Sequence, residues 1–135
     1  FKGYVSSQKY LELYQQVDII LDPFPYNGHI TTYEALWMGL PVITLEGQTH
    51  FGRVTGMLLS VLGYPELIAS SKEAYVDLAV DLAQKKEKLH ALHFQLREKI
   101  KHSVLNDSEG FMRSLEQAYR QVWETWCQNA QNKID

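Results

Sequence analysis

The sequence predicts an α/β fold: a short parallel sheet flanked by helices, with a helical last third. Three observations predict it. Two continuous apolar runs rich in β-branched residues, Val17-Asp18-Ile19-Ile20-Leu21 and Pro41-Val42-Ile43-Thr44-Leu45, both end in turn residues, Asp22-Pro23-Phe24-Pro25 and Glu46-Gly47-Gln48. Strands buried on both faces of a parallel sheet read this way. Helical patterns separate and follow the runs, and apolar stripes at spacings of three and four fill the last third.

Taken in order, Gly3-Tyr4-Val5 reads as a short strand. Ser6 or Ser7 can cap a helix over Lys9 to Gln16, with Tyr10, Leu11 and Tyr14 at helical spacing. After the first apolar run, Thr31 to Met38 reads as a short helix stopped by Gly39 and Pro41. Arg53 to Leu62 reads as another, stopped by Gly63 and Pro65, and Leu67-Ile68 as a further short strand. The alternation implies right-handed crossovers and parallel pairing. Ser70 to Glu73 has the spacing of a capping box. The helix after it carries Tyr75, Leu78 and Leu82 on one face. Leu89, Leu92, Leu96 and Ile100 form a second stripe. Val104 to Ser108 breaks the pattern, and Phe111, Leu115, Ala118, Val122 and Trp126 form a third. These helices are expected to pack on the sheet, and Trp37, Trp123 and Trp126 to fill core or interdomain contacts.

Composition bounds the function. The chain has 135 residues, the size of one domain, and 45% of them are hydrophobic, enough for a core. A net charge of -3 offers no nucleic-acid-binding surface, and Lys85-Lys86 with Lys88 reads as a solvated helix face. No apolar run is long enough to span a bilayer, so no membrane partner is expected. The single cysteine, Cys127, has no disulfide or zinc partner and leans toward a reducing, cytoplasmic compartment. Cys127 reads as a structural thiol rather than a nucleophile, because no histidine is near it in sequence. His90, His93 and His102 read as surface histidines without the further ligands a metal needs. The chain opens with Phe1 rather than Met, so its natural start is expected upstream.

The stretch richest in chemistry runs from Leu21 to Ile43. A strand ends at Leu21, a proline-stiffened loop follows, and a helix opens near His29. Ligands of open parallel sheets bind beyond the carboxyl ends of strands. Unpaired N–H groups and the dipole at a helix start favour an anion. Gly28 lets the backbone come close, Thr31 and Thr32 add hydroxyls, and His29 adds a ring N–H. Glu34, one turn further in, accepts hydrogen bonds when ionised; that suits a ribose hydroxyl and would repel phosphate. The residues alone also permit a plainer reading: Asn27-Gly28 as a common turn, Thr31 or Thr32 as a cap, Glu34 as a complement to the dipole.

This stretch resembles the donor-binding segment of the family-41 glycosyltransferases, the O-GlcNAc transferases and SPINDLY-type O-fucosyltransferases, which are usually preceded by tetratricopeptide repeats. The resemblance takes in Asp18 to Asp22, Asn27-Gly28-His29, Glu34 to Val42, Gly52-Arg53-Val54, Leu58-Leu59, Leu62-Gly63, Pro65 to Ala69, Leu115 to Tyr119 and Val122-Trp123. It implies a GT-B fold, two Rossmann-like domains around a cleft, with this chain as the later part of the second. Residues 1–69 would then be the donor-nucleotide-binding α/β segment, and 70–135 the helices completing the same domain.

By resemblance His29 and Thr31 would face the donor pyrophosphate and sugar, Glu34 the ribose, and Tyr10 the base. Arg53 falls on a family pattern as a loop anchor or site contact, and His50 lies in the same loop. Ile30 stands where the O-GlcNAc transferases carry threonine, leaving its backbone N–H to serve. Tyr10 stands where relatives often place histidine, and Leu13 replaces a basic residue. His29 itself follows the O-GlcNAc-type pattern.

The implied reaction moves a sugar, GlcNAc from UDP-GlcNAc, to a protein Ser/Thr hydroxyl. His29 and the helix mouth would steady the departing phosphate, with no metal and no cofactor beyond the donor substrate. Expected partners are a nucleotide sugar, a protein acceptor, and the upstream catalytic half and repeats of a longer chain. The fragment alone is expected to be inactive, since no general base is evident in it. Three alternatives stay open: a GDP-fucose-using O-fucosyltransferase, a non-catalytic interaction module that keeps the half-fold, and an unrelated flavodoxin-like regulator, for which Asp22 alone is poor support.

Overall fold

The computed structural model describes residues 3–131. Its elements run α1 (Ser7–Leu13), β1 (Ile20–Leu21), α2 (Ile30–Trp37), β2 (Val42–Leu45), α3 (Val54–Leu62), β3 (Ile68–Ala69), α4 (Lys72–Gln84), α5 (Lys86–Lys101) and α6 (Ser108–Gln131), joined in places by single 3-10 turns. The chain divides into two compact units, residues 1–103 and 104–135.

In the first unit the sheet order is β1-β2-β3, all parallel. Ile20 pairs with Val42 and Leu21 with Ile43; Thr44 pairs with Ile68 and Leu45 with Ala69. The middle strand explains its own sequence. Val42, Ile43 and Thr44 are wholly buried because helices and neighbouring strands cover β2, so these three successive residues show no alternation toward water, and only the terminal Leu45 is partly exposed. Helix α4 packs on β2 and β3, while α2 and α3 pack on β2.

The expected α/β class with a short parallel sheet is therefore observed, and several boundaries move. Gly3-Tyr4-Val5 is not a strand: Tyr4 is fully exposed, and β1 pairs with β2 alone, so this segment gains no ladder partner. Helix α1 begins earlier than the spacing suggested, with Ser6 accepting from the Lys9 N–H, and it tightens into a 3-10 turn over Tyr14–Gln16. The capping box expected over Ser70 to Glu73 does not form, because the helix starts one residue later and its N3 residue is Ala74, which has no carboxylate to reach back. Ser71 is the cap and accepts from Ala74 N at 3.1 Å. The Glu73 carboxyl lies below its usual range, first through a backbone hydrogen bond and then through Ser71.

Two glycines end helices as expected. Gly63 closes α3 in the left-handed region at φ 78°, and Gly39 follows α2 at φ 86°. At Gly39 a side chain is also excluded by contact, since a Cβ would lie 2.6 Å from the His93 carbonyl oxygen.

The second apolar stripe is core, though its main neighbours are helices α2, α3 and α4 rather than the sheet. Leu92, Leu96 and Ile100 are buried and seat α5 there, while Phe94 on the other face is exposed. In the second unit Asp107 accepts from Gly110 N at 2.8 Å at the start of α6. The third stripe does not serve as core in the described chain: Phe111, Val122 and Trp126 are exposed, and Trp123 stacks on Trp126 at 5.2 Å. Trp37 is half-buried and stacks on Tyr33.

Because Leu96 is wholly buried, Leu96→Ala should destabilise the first unit by about 2–5 kcal/mol through lost transfer energy and a residual cavity. Phe94→Ala, one turn face away, should change stability by less than about 0.5 kcal/mol. Urea denaturation of both variants checks the contrast.

Candidate functional site

The loops that follow β1 and β2 lie at the carboxyl ends of parallel strands, where such sheets place ligands. What shapes the first loop is a carboxylate. Asp22, the first residue after β1, is 2% exposed. Its Oδ1 accepts the Gly28 N–H at 2.8 Å, its Oδ2 accepts the Thr44 hydroxyl at 2.7 Å, and its carbonyl accepts the Tyr75 hydroxyl at 2.9 Å. A buried carboxylate is costly unless its oxygens are hydrogen-bonded, and here both are. The loop is thus folded back so that Gly28 meets the strand end it left six residues earlier.

The neighbouring groups lock the same fold. Asn27, 1% exposed, donates its side-chain amide to Pro23 O and Thr44 Oγ1, and its backbone N–H to Phe51 O. Thr55 donates to the Gly28 carbonyl at 3.3 Å. At Gly28 a Cβ would fall 2.6 Å from Thr32 Oγ1 and 2.8 Å from Thr31 Oγ1, so only glycine fits against the first turn of α2.

Helix α2 then opens with His29 as its N-cap. The first helical N–H to bond back is that of Tyr33, to His29 O at 3.0 Å. The N–H groups of Ile30, Thr31 and Thr32 precede it and have no intrahelical acceptor by helix geometry. His29 makes no side-chain capping bond. The helix mouth is consequently a set of fixed donors at a strand terminus.

Beside it lies an open cleft of about 340 Å³, walled by Tyr10, Leu13, Tyr14 and Val17 on one side and Gly28, Thr31 and Thr32 on the other. Its surface is mostly apolar. Tyr10 and Tyr14 meet hydroxyl to hydroxyl at 2.6 Å with their rings edge-on, and Tyr14 donates to the Thr31 carbonyl at 3.3 Å. Burial first, then the Tyr10 hydrogen bond and the charge of Glu34, push the Tyr14 phenol well above its ordinary value. Tyr14 therefore keeps its proton to donate.

The structure brings together Tyr10, Gly28, Thr31 and Thr32 around this cleft. His29 and Ile30 are exposed at the start of the helix. The Thr32 hydroxyl, however, is buried 3.3 Å from that of Thr55, which leaves its backbone N–H as its remaining donor at the helix mouth. Glu34 lies in the second turn of α2, past the first turn where a charge would merely complement the dipole. Arg53 is the exposed N-cap of α3, and His50 opens the 3-10 turn before it.

Sequence reasoning missed Asp22, Thr44, Thr55 and Tyr75 as the groups that hold the loop. A polar threonine inside the apolar run 41–45 was the one available signal. A larger open cleft, about 540 Å³, is lined by Asp18, Lys86, His90 and His93. It opens at the amino end of β1, away from the helix mouth, and His93 Nε2 lies 3.2 Å from the Asp18 carbonyl. Among the described residues no group of three His, Cys, Asp or Glu side chains is gathered as a metal would need, and no helix is long and apolar enough to cross a membrane.

Asp22→Asn keeps the size of the side chain but turns one oxygen into a donor facing either Gly28 N or Thr44 Oγ1. It should cost about 1.5–3 kcal/mol of stability, the worth of a hydrogen bond to a charged group. Chemical denaturation reads that loss, and Asp18→Asn, at an exposed position, should show almost none.

Comparison with known proteins bears on what this mouth holds. The model of glycosyl transferase family 41 matches residues 5–115. The chain is 42% identical over 118 residues to a probable UDP-N-acetylglucosamine-peptide N-acetylglucosaminyltransferase, SPINDLY, of Hordeum vulgare, covering 87% of this chain and 12% of that protein. It is 37% identical over 115 residues to a protein of the same description, SEC, of Arabidopsis thaliana, covering 84% and 12%. Among solved structures, a mutant O-GlcNAc transferase of Thermobaculum terrenum superposes with a TM-score of 0.85 at 39% identity, over 93% of this chain and 24% of that one. The fold is that of a GT-B half-domain, and the chain spans about an eighth of the length of the SPINDLY and SEC relatives and about a quarter of the Thermobaculum terrenum chain. With the matched segment running from before α1 into α6, the chain belongs to glycosyl transferase family 41.

Proposed function

We propose that this chain is the donor-binding part of a protein glycosyltransferase, working within a longer polypeptide, that moves GlcNAc from UDP-GlcNAc to a Ser or Thr hydroxyl. The observation that carries the reading is the helix mouth of α2, whose donors are fixed beside an apolar cleft by the Asp22 hydrogen bonds. The diphosphate takes the N–H groups of Ile30, Thr31 and Thr32, with Gly28 allowing close approach. Glu34 takes the ribose hydroxyls, and Tyr10 stacks or packs on the base. Arg53, from the second loop, anchors that loop or reaches the donor.

In the reaction the acceptor oxygen attacks the anomeric carbon and the bond to the phosphate oxygen breaks. Negative charge grows on the departing diphosphate, and donors already in place lower that barrier without reorganising. His29 supplies a ring N–H at the same point, which makes it the candidate catalytic residue. The acceptor proton passes to a base outside residues 1–135, so the segment alone is inactive. Metal ions and further cofactors are not required in this scheme. The family resemblance favours upstream tetratricopeptide repeats and a cytoplasmic enzyme.

Tyr10 and Leu13, where the family resemblance would place other residues, leave the base open, and a GDP-fucose donor is the second reading. Full-length protein assayed for transfer to a Ser/Thr peptide, in excess EDTA, separates these cases. GlcNAc transfer from UDP-GlcNAc that survives EDTA is the expected result, with Glu34→Gln raising donor KM by about tenfold, one lost charge-assisted hydrogen bond. Transfer from GDP-fucose alone would move the donor assignment. Transfer from neither would leave a non-catalytic interaction module.

A further inference from the structure

We propose that Tyr26 is a positioning residue that sets the ring of His29, with Phe51 as its backing. The inference rests on the donor-site reading above and assigns work to two residues that reading leaves idle.

Tyr26 lies in the loop after β1, three residues before His29. Its ring stacks on the imidazole with centroids 5.6 Å and planes 12° apart, and on Phe51 at 5.3 Å and 13°. Three rings from two loops therefore lie nearly parallel. Tyr26 is 60% exposed and Phe51 45%, so core packing does not account for them. The outer ring of the stack is firmly placed. The Phe51 carbonyl accepts the Asn27 N–H at 3.0 Å, and Thr49 caps the 3-10 turn that carries Phe51 through Gly52 N. The Gly47 N–H in turn bonds Gly52 O at 2.9 Å, closing the second loop on itself.

His29 is held differently from the other polar groups of the site. Asp22, Asn27, Thr32 and Thr55 are fixed through their polar atoms. The His29 side chain makes no capping bond, and its ring stacks on the face of Tyr26. A ring held by its face keeps both edge nitrogens available to a ligand. An aromatic stack prefers offset, parallel or edge-on arrangements, so it limits the tilt of the imidazole without occupying its N–H. That is the preorganisation a donor to a departing phosphate needs.

The test is a double-mutant cycle in the full-length enzyme, read both in kcat for sugar transfer and in the dissociation constant for UDP. Tyr26→Ala should lower kcat by about tenfold, short of the roughly hundredfold loss that a 1 Å misplacement can cause, because the imidazole is loosened rather than removed. Tyr26→Phe, which keeps the stack, should recover most of the loss. On a His29→Ala background Tyr26→Ala should add nothing further, because the partner it acts through is gone. Phe51→Ala, from the other loop, should give a smaller loss that also vanishes without His29, and it replaces the Tyr26 arm should Tyr26→Ala fail to fold. Additive losses, or Tyr26→Phe as poor as Tyr26→Ala, would overturn the proposal while leaving the donor site intact. A His29→Ala enzyme with unaltered kcat and UDP affinity would overturn this inference, whereas a wild-type enzyme that fails to bind UDP would sink the donor-site reading itself.

Discussion

Asp22 accepts from two directions at once, and the rest of the site follows from that. One oxygen draws the Gly28 N–H back to the end of β1; the other takes the Thr44 hydroxyl from the middle of β2. The carboxylate thereby ties the loop to both of the strands it lies above, and the Tyr75 hydroxyl on its carbonyl ties it to α4. With the loop folded back, Gly28 presses against the first turn of α2, whose first N–H groups have no intrahelical acceptor. The negative charge of Asp22 is satisfied internally, so the helix mouth presents net donors beside it. Removing that clamp would free the loop, and the donors of α2 would lose the position that gives them a use.

The second loop completes the arrangement by leaning on the first. Phe51 O receives the Asn27 N–H, Thr55 reaches the Gly28 carbonyl, and Phe51 stacks on Tyr26. Two strand ends thus present one surface, with an apolar cleft walled by α1 on the flank where Tyr10 and Tyr14 share a hydroxyl contact. The proposed donor site divides nucleotide recognition between these parts: backbone donors for charge, a carboxylate at Glu34 for hydroxyls, and aromatic and aliphatic side chains for the base.

Much of this was legible in the sequence, for identifiable reasons. The run ending at Leu45 is a strand because β-branched residues without alternation suit a covered sheet; of the run ending at Leu21 only Ile20–Leu21 is strand, and Val17 and Leu21 are exposed because β1 is the edge of the sheet. Gly39 and Gly63 mark helix ends because both adopt positive φ. The segment from Asn27 to Glu34 stood out because glycine, histidine and threonine at a strand-to-helix turn suit an anion. Less could be read where a residue acts through a distant partner. Thr32 looked like one more hydroxyl donor, yet its Oγ1 faces Thr55, 23 residues away in sequence. Asp22 looked like an isolated acid, because its partners Thr44 and Tyr75 are adjacent only after the sheet and α4 assemble. Tyr4 and Val5 have strand composition, but a strand needs a neighbour, and among the described residues none is offered to them. The stripe on α6 was correctly periodic, while periodicity says nothing of what covers it.

The measurement that tests the clamp and the helix mouth together is an experimental structure of the full-length protein bound to UDP. This account places diphosphate oxygens about 3 Å from the backbone nitrogens of Ile30 or Thr31, with Asp22 still bonded to Gly28 N and Thr44 Oγ1. A diphosphate seated away from the start of α2, or a loop whose Asp22 has let go of Gly28 to admit it, would contradict the account.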